Sequence, residues 1–201
     1  ARQLAGENLR WSPELKLIDN ISTDEITPGW VCYYYDDTLA KYCLVGLRGG
    51  VIKPGDIQRG GFSVIVSGLS KGCGSSRETA PFSELRCGVQ LVIAKTVEKI
   101  YNQNAQNIGL LTSSDFGLIE RIERGDELEL EHFTKGADAI SADIIRKGGL
   151  FEYSKARVAG TVSAPVLNTA RRPMNLCEKI LASHAVRDAR LAHRMLVRAE
   201  Q

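Results

Sequence analysis

Apolar residues fall along this chain in two rhythms. Phe62–Val66 (FSVIV) and Gln90–Ala94 (QLVIA) are short unbroken runs, the first bounded by Gly60-Gly61 and Ser67-Gly68. Such runs predict buried strands. Trp30–Tyr35, aromatic and β-branched, predicts a strand or a packed loop. Tyr42–Leu47 predicts a further strand ending at Arg48-Gly49-Gly50. The second rhythm is three-to-four spacing, which predicts helices over 76–87, 96–106, 114–124 and 137–147. Gly88, Gly109, Gly125 and Gly148-Gly149 stand just past their ends, where helix-stopping glycines belong. The order strand, helix, strand, helix between residues 62 and 106 predicts an α/β unit. Ahead of it, Leu17–Asn20 leads into a turn at Ser22-Thr23-Asp24.

After Val158 the periodicity fades. Gly160–Arg172 is rich in Thr, Ala, Ser and Pro and reads as a linker. Pro173–Arg198 predicts one or two helices, with Asn175 and Glu178 spaced as a capping pair. The expected organisation is a domain over 1–158, a linker over 159–172 and a helical segment over 173–201.

Charge narrows the function. Lys plus Arg is 26 and Asp plus Glu is 24, a net +2. That balance argues against nucleic acid or an anionic membrane as partner, since either selects a basic excess. No apolar run approaches the ~20 residues needed to cross a bilayer. Ala1–Arg10 is polar and mixed, unlike a secretory leader. The five cysteines, Cys32, Cys43, Cys73, Cys87 and Cys177, are odd in number and include no Cys-x-x-Cys. A disulfide framework, a zinc site or an iron–sulfur site made by this chain is therefore not expected. Reduced thiols and a cytoplasmic location are the simplest expectation.

One segment carries candidate chemistry. Gly72-Cys73-Gly74-Ser75-Ser76-Arg77-Glu78 lies between the FSVIV run and a predicted helix. Ser75-x-x-Glu78 has the spacing of a capping box, with Ser75 at the N-cap. Glycine permits a sharp turn and close approach of a ligand. Two hydroxyls and one guanidinium share the place with a positive helix end, a combination that suits a carboxylate or phosphate. Local physics alone leaves a plain helix cap equally open. The segment lacks the third glycine of a dinucleotide fingerprint, the Gly-Lys-Ser/Thr of a P-loop, and the Gly-x-Ser-x-Gly of a nucleophile elbow.

Taken with Ala80-Pro81, Val92-Ile93-Ala94, Ile100-Tyr101, Asn104, Asn107 and Gly109-Leu110, this segment resembles the swivel domain of the aconitase and isopropylmalate isomerase superfamily. Asp19–Pro28 (DNISTDEITP) is similar to that family's Asn-x-x-Thr-Asp-x-Ile-x-Pro segment. The likeness covers residues 15–158. It departs at Thr79, where the family usually has His. Met174-Asn175-Leu176, Glu178–Leu181 and His184 resemble the opening of the family's large, cluster-carrying subunit. This implies a parent polypeptide with the swivel domain first, of which this chain is an N-terminal piece. The alternative is a stand-alone small subunit ending in an amphipathic helix.

The resemblance implies an α/β fold in β/β/α layers, with mixed sheets and flanking helices. It implies a hydro-lyase or isomerase that removes and re-adds water on a hydroxy-carboxylic acid. Ser75 matches the serine that takes the proton, and Asp24 an aspartate supporting an acid group in the partner domain. Gly74, Ser76 and Arg77 match the substrate-carboxylate grip. A [4Fe–4S] cluster, acting as Lewis acid, is implied in the large domain or subunit, with none bound by this chain. The chain alone is then expected to be inactive. Where aconitase-like members deliver an arginine to a further substrate carboxylate, Gly29–Asp37 (GWVCYYYDD) has no Arg or Lys. An Asp at position 36 would repel a third carboxylate, so the expected substrate is a dicarboxylate with a neutral third substituent, like an alkylmalate. The competing expectation is a non-catalytic carboxylate-binding or docking module with the same fold.

Overall fold

In a computed structural model, residues 3–163 and 173–183 are described. The first unit spans residues 1–162. Its centre is a parallel sheet, β2 (Val64–Val66), β4 (Leu91–Ile93) and β5 (Leu111–Ser113), in the order β2-β4-β5. Register pairs Val64 with Leu91 and Leu91 with Leu111. Parallel neighbours require crossovers. These contain α3 (Thr79–Arg86) between β2 and β4, and α4 (Lys99–Ile108) between β4 and β5. Covered by helices, β4 buries all three of its residues, as a strand in the middle of a parallel sheet should. The FSVIV strand at the edge is only half-buried.

A second, two-stranded sheet pairs β1 (Ile21–Ser22) in parallel with β3 (Lys71–Cys73). Thr23 opens a one-turn helix, α1 (Thr23–Ile26), where the sequence suggests only a turn. Lys71 also bridges Val97, which ties this small sheet to the segment after β4. Ile26, Leu44, Ala80, Val92, Tyr101 and Leu110 share one core beneath both sheets. Leu91, Ile93, Leu118 and Ile119 form another on the opposite side of β4. The remaining helices are α2 (Asp56–Gly60), α5 (Gly117–Glu123), α6 (Glu131–Thr134), α7 (Ala139–Arg146) and α8 (Leu150–Val158). At the end of α4, Gly109 has φ +86°, and a side chain there would run into the Gly148 carbonyl.

The α/β class is as expected, and every pairing among the described residues is parallel. One predicted strand is absent, and Trp30–Tyr35, expected as a strand or a packed loop, is the loop. Tyr42–Leu47 is the end of a 3-10 helix (Asp37–Tyr42) followed by turns. Leu44 adopts φ +61° and donates its N–H to Ile26 O, so Cys43 and Leu44 reach the core without a ladder. Trp30–Tyr35 enters a 3-10 turn (Gly29–Val31) and then a loop. Val31 is buried, whereas Trp30, Tyr33, Tyr34 and Tyr35 are exposed.

The second unit spans residues 163–201. Its described part is α9 (Leu176–Ser183). Asn175 Oδ1 accepts from Glu178 N, and Glu178 Oε2 accepts from Asn175 N, each at 2.9 Å. This is the reciprocal cap that the spacing predicts. The linker beyond residue 163, His184 and the rest of the predicted helix to 198 lie outside the described residues. Among the described residues no helix is long and apolar enough to cross a membrane.

Candidate active site

Parallel pairing of β1 with β3 sets the ends of two strands side by side, so the Thr-Asp segment meets the Gly-Ser-Ser-Arg loop. On the β1 side, Ser22 caps α1 in a complete capping box with Glu25. Arg48 clamps that carboxylate, with Nε 2.7 Å from Oε1 and Nη2 2.8 Å from Oε2. The Arg48 hydrogen bond pulls the Glu25 carboxyl down to a pKa of about 2. The Arg48 turn therefore fixes the start of α1. Thr23 is buried and Asp24 exposed on that one turn.

On the β3 side, Gly72 takes φ +83° against the face of Tyr101, where a side chain would collide with the ring. Gly74 takes φ +99°. The chain then exposes Gly74, Ser75 and Ser76 in an irregular loop before α3. Beneath it, Lys71 and Glu84 are fully buried with Nζ 2.7 Å from Oε1, an ion pair too poorly aligned to count as a hydrogen bond. Tyr101 Oη donates to Glu84 Oε2. Burial, followed by the Glu84 charge, pushes the Tyr101 hydroxyl well up, so it remains a donor.

The two sides touch at named atoms. Thr23 Oγ1 donates to Ser75 O at 2.9 Å and lies 3.0 Å from Ser75 Oγ. Arg77 Nη1 lies 2.5 Å from Asp24 Oδ1 and donates to Thr27 O at 3.0 Å. Asp24, Ser75 and Arg77 are thus brought together. Gly74 and Ser76 share their loop, with no side-chain contact that fixes a role for Ser76.

The expected Ser75–Glu78 capping box does not form. The N-cap of α3 is Glu78, without a side-chain cap. Glu78 instead accepts from Tyr35 Oη at 2.8 Å, and Thr23 engages Ser75. Ser75 therefore stands outside the first turn of α3, and its side-chain partner, Thr23, comes from α1. Thr23 is the residue that sequence reasoning missed. It precedes Asp24 in the motif, but its partner lies 52 residues away.

A cavity of about 540 Å³ opens beside this junction, lined in part by Asp24, Gly29, Trp30 and Lys53. Arg77 is not on its wall, but it packs against Gly29, where an added side chain would stand 3.5 Å from Arg77 Nη2. Lys53 enters from outside the 29–37 stretch, and its Nζ donates to Gly50 O at 3.1 Å. Asp36 is not on that wall. Its carboxylate accepts from Thr38 N at 2.8 Å and caps the following 3-10 helix, so the expected repulsion by Asp36 has no geometry behind it. A larger cavity, about 740 Å³ and lined in part by Lys95 and His132, contains none of these residues.

Among the described residues no three His, Cys, Asp or Glu side chains gather into a metal-holding set. Cys43 and Cys87 are buried in the core, and Cys73, on β3, has no companions of that kind. The described residues do not fit an iron–sulfur cluster.

Residues 56–114 match the family described as "Aconitase C-terminal domain". The 3-isopropylmalate dehydratase small subunit of Caldicellulosiruptor bescii is 36% identical over 158 residues, 71% of this chain and 93% of that protein. This chain belongs to the aconitase and isopropylmalate dehydratase superfamily, as a small-subunit swivel domain. The isopropylmalate/citramalate isomerase small subunit of Methanocaldococcus jannaschii is 33% identical, covering 72% of this chain and 92% of that one. The crystal structure of 3-isopropylmalate dehydratase from the same organism superposes with a TM-score of 0.54 at 29% identity, over 71% of this chain and 91% of that chain. These relatives are components of hydro-lyase or isomerase enzymes by their names, and a small subunit implies a large partner.

Proposed function

We propose that this chain is the swivel component of a hydro-lyase that dehydrates and rehydrates a hydroxy-carboxylic acid. Ser75 supplies the base and Arg77 the carboxylate grip. The observation that carries the reading is the junction itself: two segments far apart in sequence bring Asp24, Thr23, Ser75 and Arg77 into contact, with Asp24 on the wall of a cavity. A large, cluster-carrying domain or subunit is the partner, and its [4Fe–4S] cluster supplies Lewis-acid chemistry that this chain does not.

Ser75 Oγ takes the proton from the carbon next to a substrate carboxylate. The electron pair of the broken C–H bond stays on the substrate and forms the double bond as hydroxide leaves toward the partner. A serine is a weak base in water, and it serves only where hydrogen bonds and positive charge stabilise its alkoxide. The 3.0 Å contact of Thr23 with Ser75 Oγ supports this, with Arg77 as the proposed positive charge. Arg77 receives one substrate carboxylate on the guanidinium edge beside Gly29, while Nη1 stays tied to Thr27 O. The contact with Arg77 supports Asp24 as its orienting group, and the family resemblance gives Asp24 the further proposed role of supporting an acid group of the partner.

The substrate reading is a dicarboxylate with a neutral third substituent, favoured by the exposed Trp30 ring on the cavity wall. Lys53 on the same wall favours a second reading, a substrate with a further carboxylate. Residues 173–201 are proposed as the start of the cluster-carrying part in the same polypeptide, and the mass of the native polypeptide tests this.

The test of function is anaerobic reconstitution with the cluster-carrying partner and assay against isopropylmalate, citramalate, citrate and isocitrate. Turnover of a member of the panel by the complex, and of none by this chain alone, is expected. A complex that binds these acids without dehydrating any of them would return the chain to the docking-module reading.

A further inference from the structure

Thr23 is buried, on the first turn of α1, and its hydroxyl faces a single residue of the other motif. Threonine has one hydroxyl proton and two oxygen lone pairs. With that proton given to Ser75 O at 2.9 Å, the 3.0 Å contact with Ser75 Oγ is one in which Ser75 donates and Thr23 accepts. An ionised Ser75 has no proton to donate, so the same contact persists only if Thr23 turns its own proton onto Ser75 Oγ.

The geometry permits that turn at low cost. Ser75 O also accepts the backbone N–H of Arg77 at 2.8 Å, so it is not orphaned when Thr23 leaves. The capping box of Ser22 with Glu25, held in turn by Arg48, keeps α1 in place while the hydroxyl rotates. We propose that Thr23 is a positioning residue with a two-position hydroxyl. It donates to Ser75 O while Ser75 carries its proton, and to Ser75 Oγ while Ser75 is ionised. Its own proton is never transferred. In the dehydration direction the proton moves from substrate carbon to Ser75 Oγ, and Thr23 returns to the carbonyl.

The inference rests on the reading of Ser75 as the base. The test uses the complete enzyme with its cluster-carrying partner and the hydroxy acid that it turns over fastest, with and without deuterium on the carbon that loses the proton. Thr23→Val keeps the shape and removes the hydroxyl. It is expected to lower kcat about 10- to 100-fold, the scale of one donor lost from a developing charge. KM should stay within about threefold, while the deuterium isotope effect on kcat rises because proton transfer becomes the slower step. Thr23→Ser, which restores the hydroxyl, should recover kcat to within about threefold of the unaltered enzyme. A purely structural role would lower the active fraction and leave the isotope effect unchanged. If the valine variant does not fold, Thr23→Ala against Thr23→Ser makes the same comparison, since the two differ by the hydroxyl alone. Near-normal kcat without the hydroxyl, in an enzyme that Ser75→Ala inactivates, overturns this inference and leaves the function standing. Activity surviving in Ser75→Ala overturns the reading beneath it.

Discussion

Arg77 Nη1 lies 2.5 Å from Asp24 Oδ1, and this contact joins the two motifs that define the site. Both groups are partly exposed, so the pair contributes little to stability. Its role is geometric. The carboxylate and the Thr27 carbonyl together fix the guanidinium beside Gly29.

Arg77→Lys is expected to raise KM for the substrate by at least ~10-fold, because an ammonium cannot reproduce a two-pronged grip. kcat should fall less. Steady-state kinetics on the reconstituted complex checks this, and an unchanged KM would remove Arg77 from substrate binding.

The buried Lys71–Glu84 pair makes a stability prediction. Lys71→Met removes the ammonium that partners the buried Glu84 carboxyl, and should cost about 3–5 kcal/mol. The double replacement Lys71→Met/Glu84→Leu should recover much of that, since no charge is then stranded. Urea unfolding of the three proteins decides it. Equal losses in the single and double variants would mean that the pair itself, rather than the stranded charge, sets the stability.

Glu25 predicts an acid limb. Its pKa falls from 4.5 to about 2 in the folded chain. A depressed carboxyl contributes stability that is fully present above pH 4.5 and is lost as pH falls toward about 2. Melting temperature should therefore drop through that window more steeply in the unaltered chain than in Glu25→Gln. Parallel curves would show that Arg48 does not hold this carboxylate in solution.

Trp30 and Lys53 separate the two substrate readings. If the third substituent is neutral, Trp30→Ala should lower kcat/KM for isopropylmalate several-fold and Lys53→Met should have little effect. If a third carboxylate is held here, Lys53→Met should lower kcat/KM for citrate or isocitrate by at least ~10-fold. The comparison across both acids and both variants distinguishes them.

Much of this architecture was legible as pattern. The β2 and β4 runs, the helix-stopping glycines and the Asn175–Glu178 cap all depend on residues near one another in sequence. What failed depended on distant partners. Tyr42–Leu47 has the composition of a strand, but Leu44 buries its side chain through a positive φ and gives its N–H to Ile26. Ser75-x-x-Glu78 has the spacing of a capping box, but Tyr35 takes the Glu78 carboxylate and Thr23 takes Ser75. Asp36 looked like a charge aimed at substrate and is spent on Thr38 N. Asp24, Ser75 and Arg77 stand in the two motifs themselves, whereas Thr23 gains its partner only through the pairing of β1 with β3.

The central claim is that Ser75 is the base, and Ser75→Ala in the reconstituted complex tests it most directly. The account predicts a fall in kcat of at least ~10², the scale of losing a positioned base, with a much smaller change in KM and an unchanged melting temperature. An alanine enzyme that keeps most of its kcat would contradict it, and would make the Thr23–Ser75 contact a structural tie between α1 and the loop before α3.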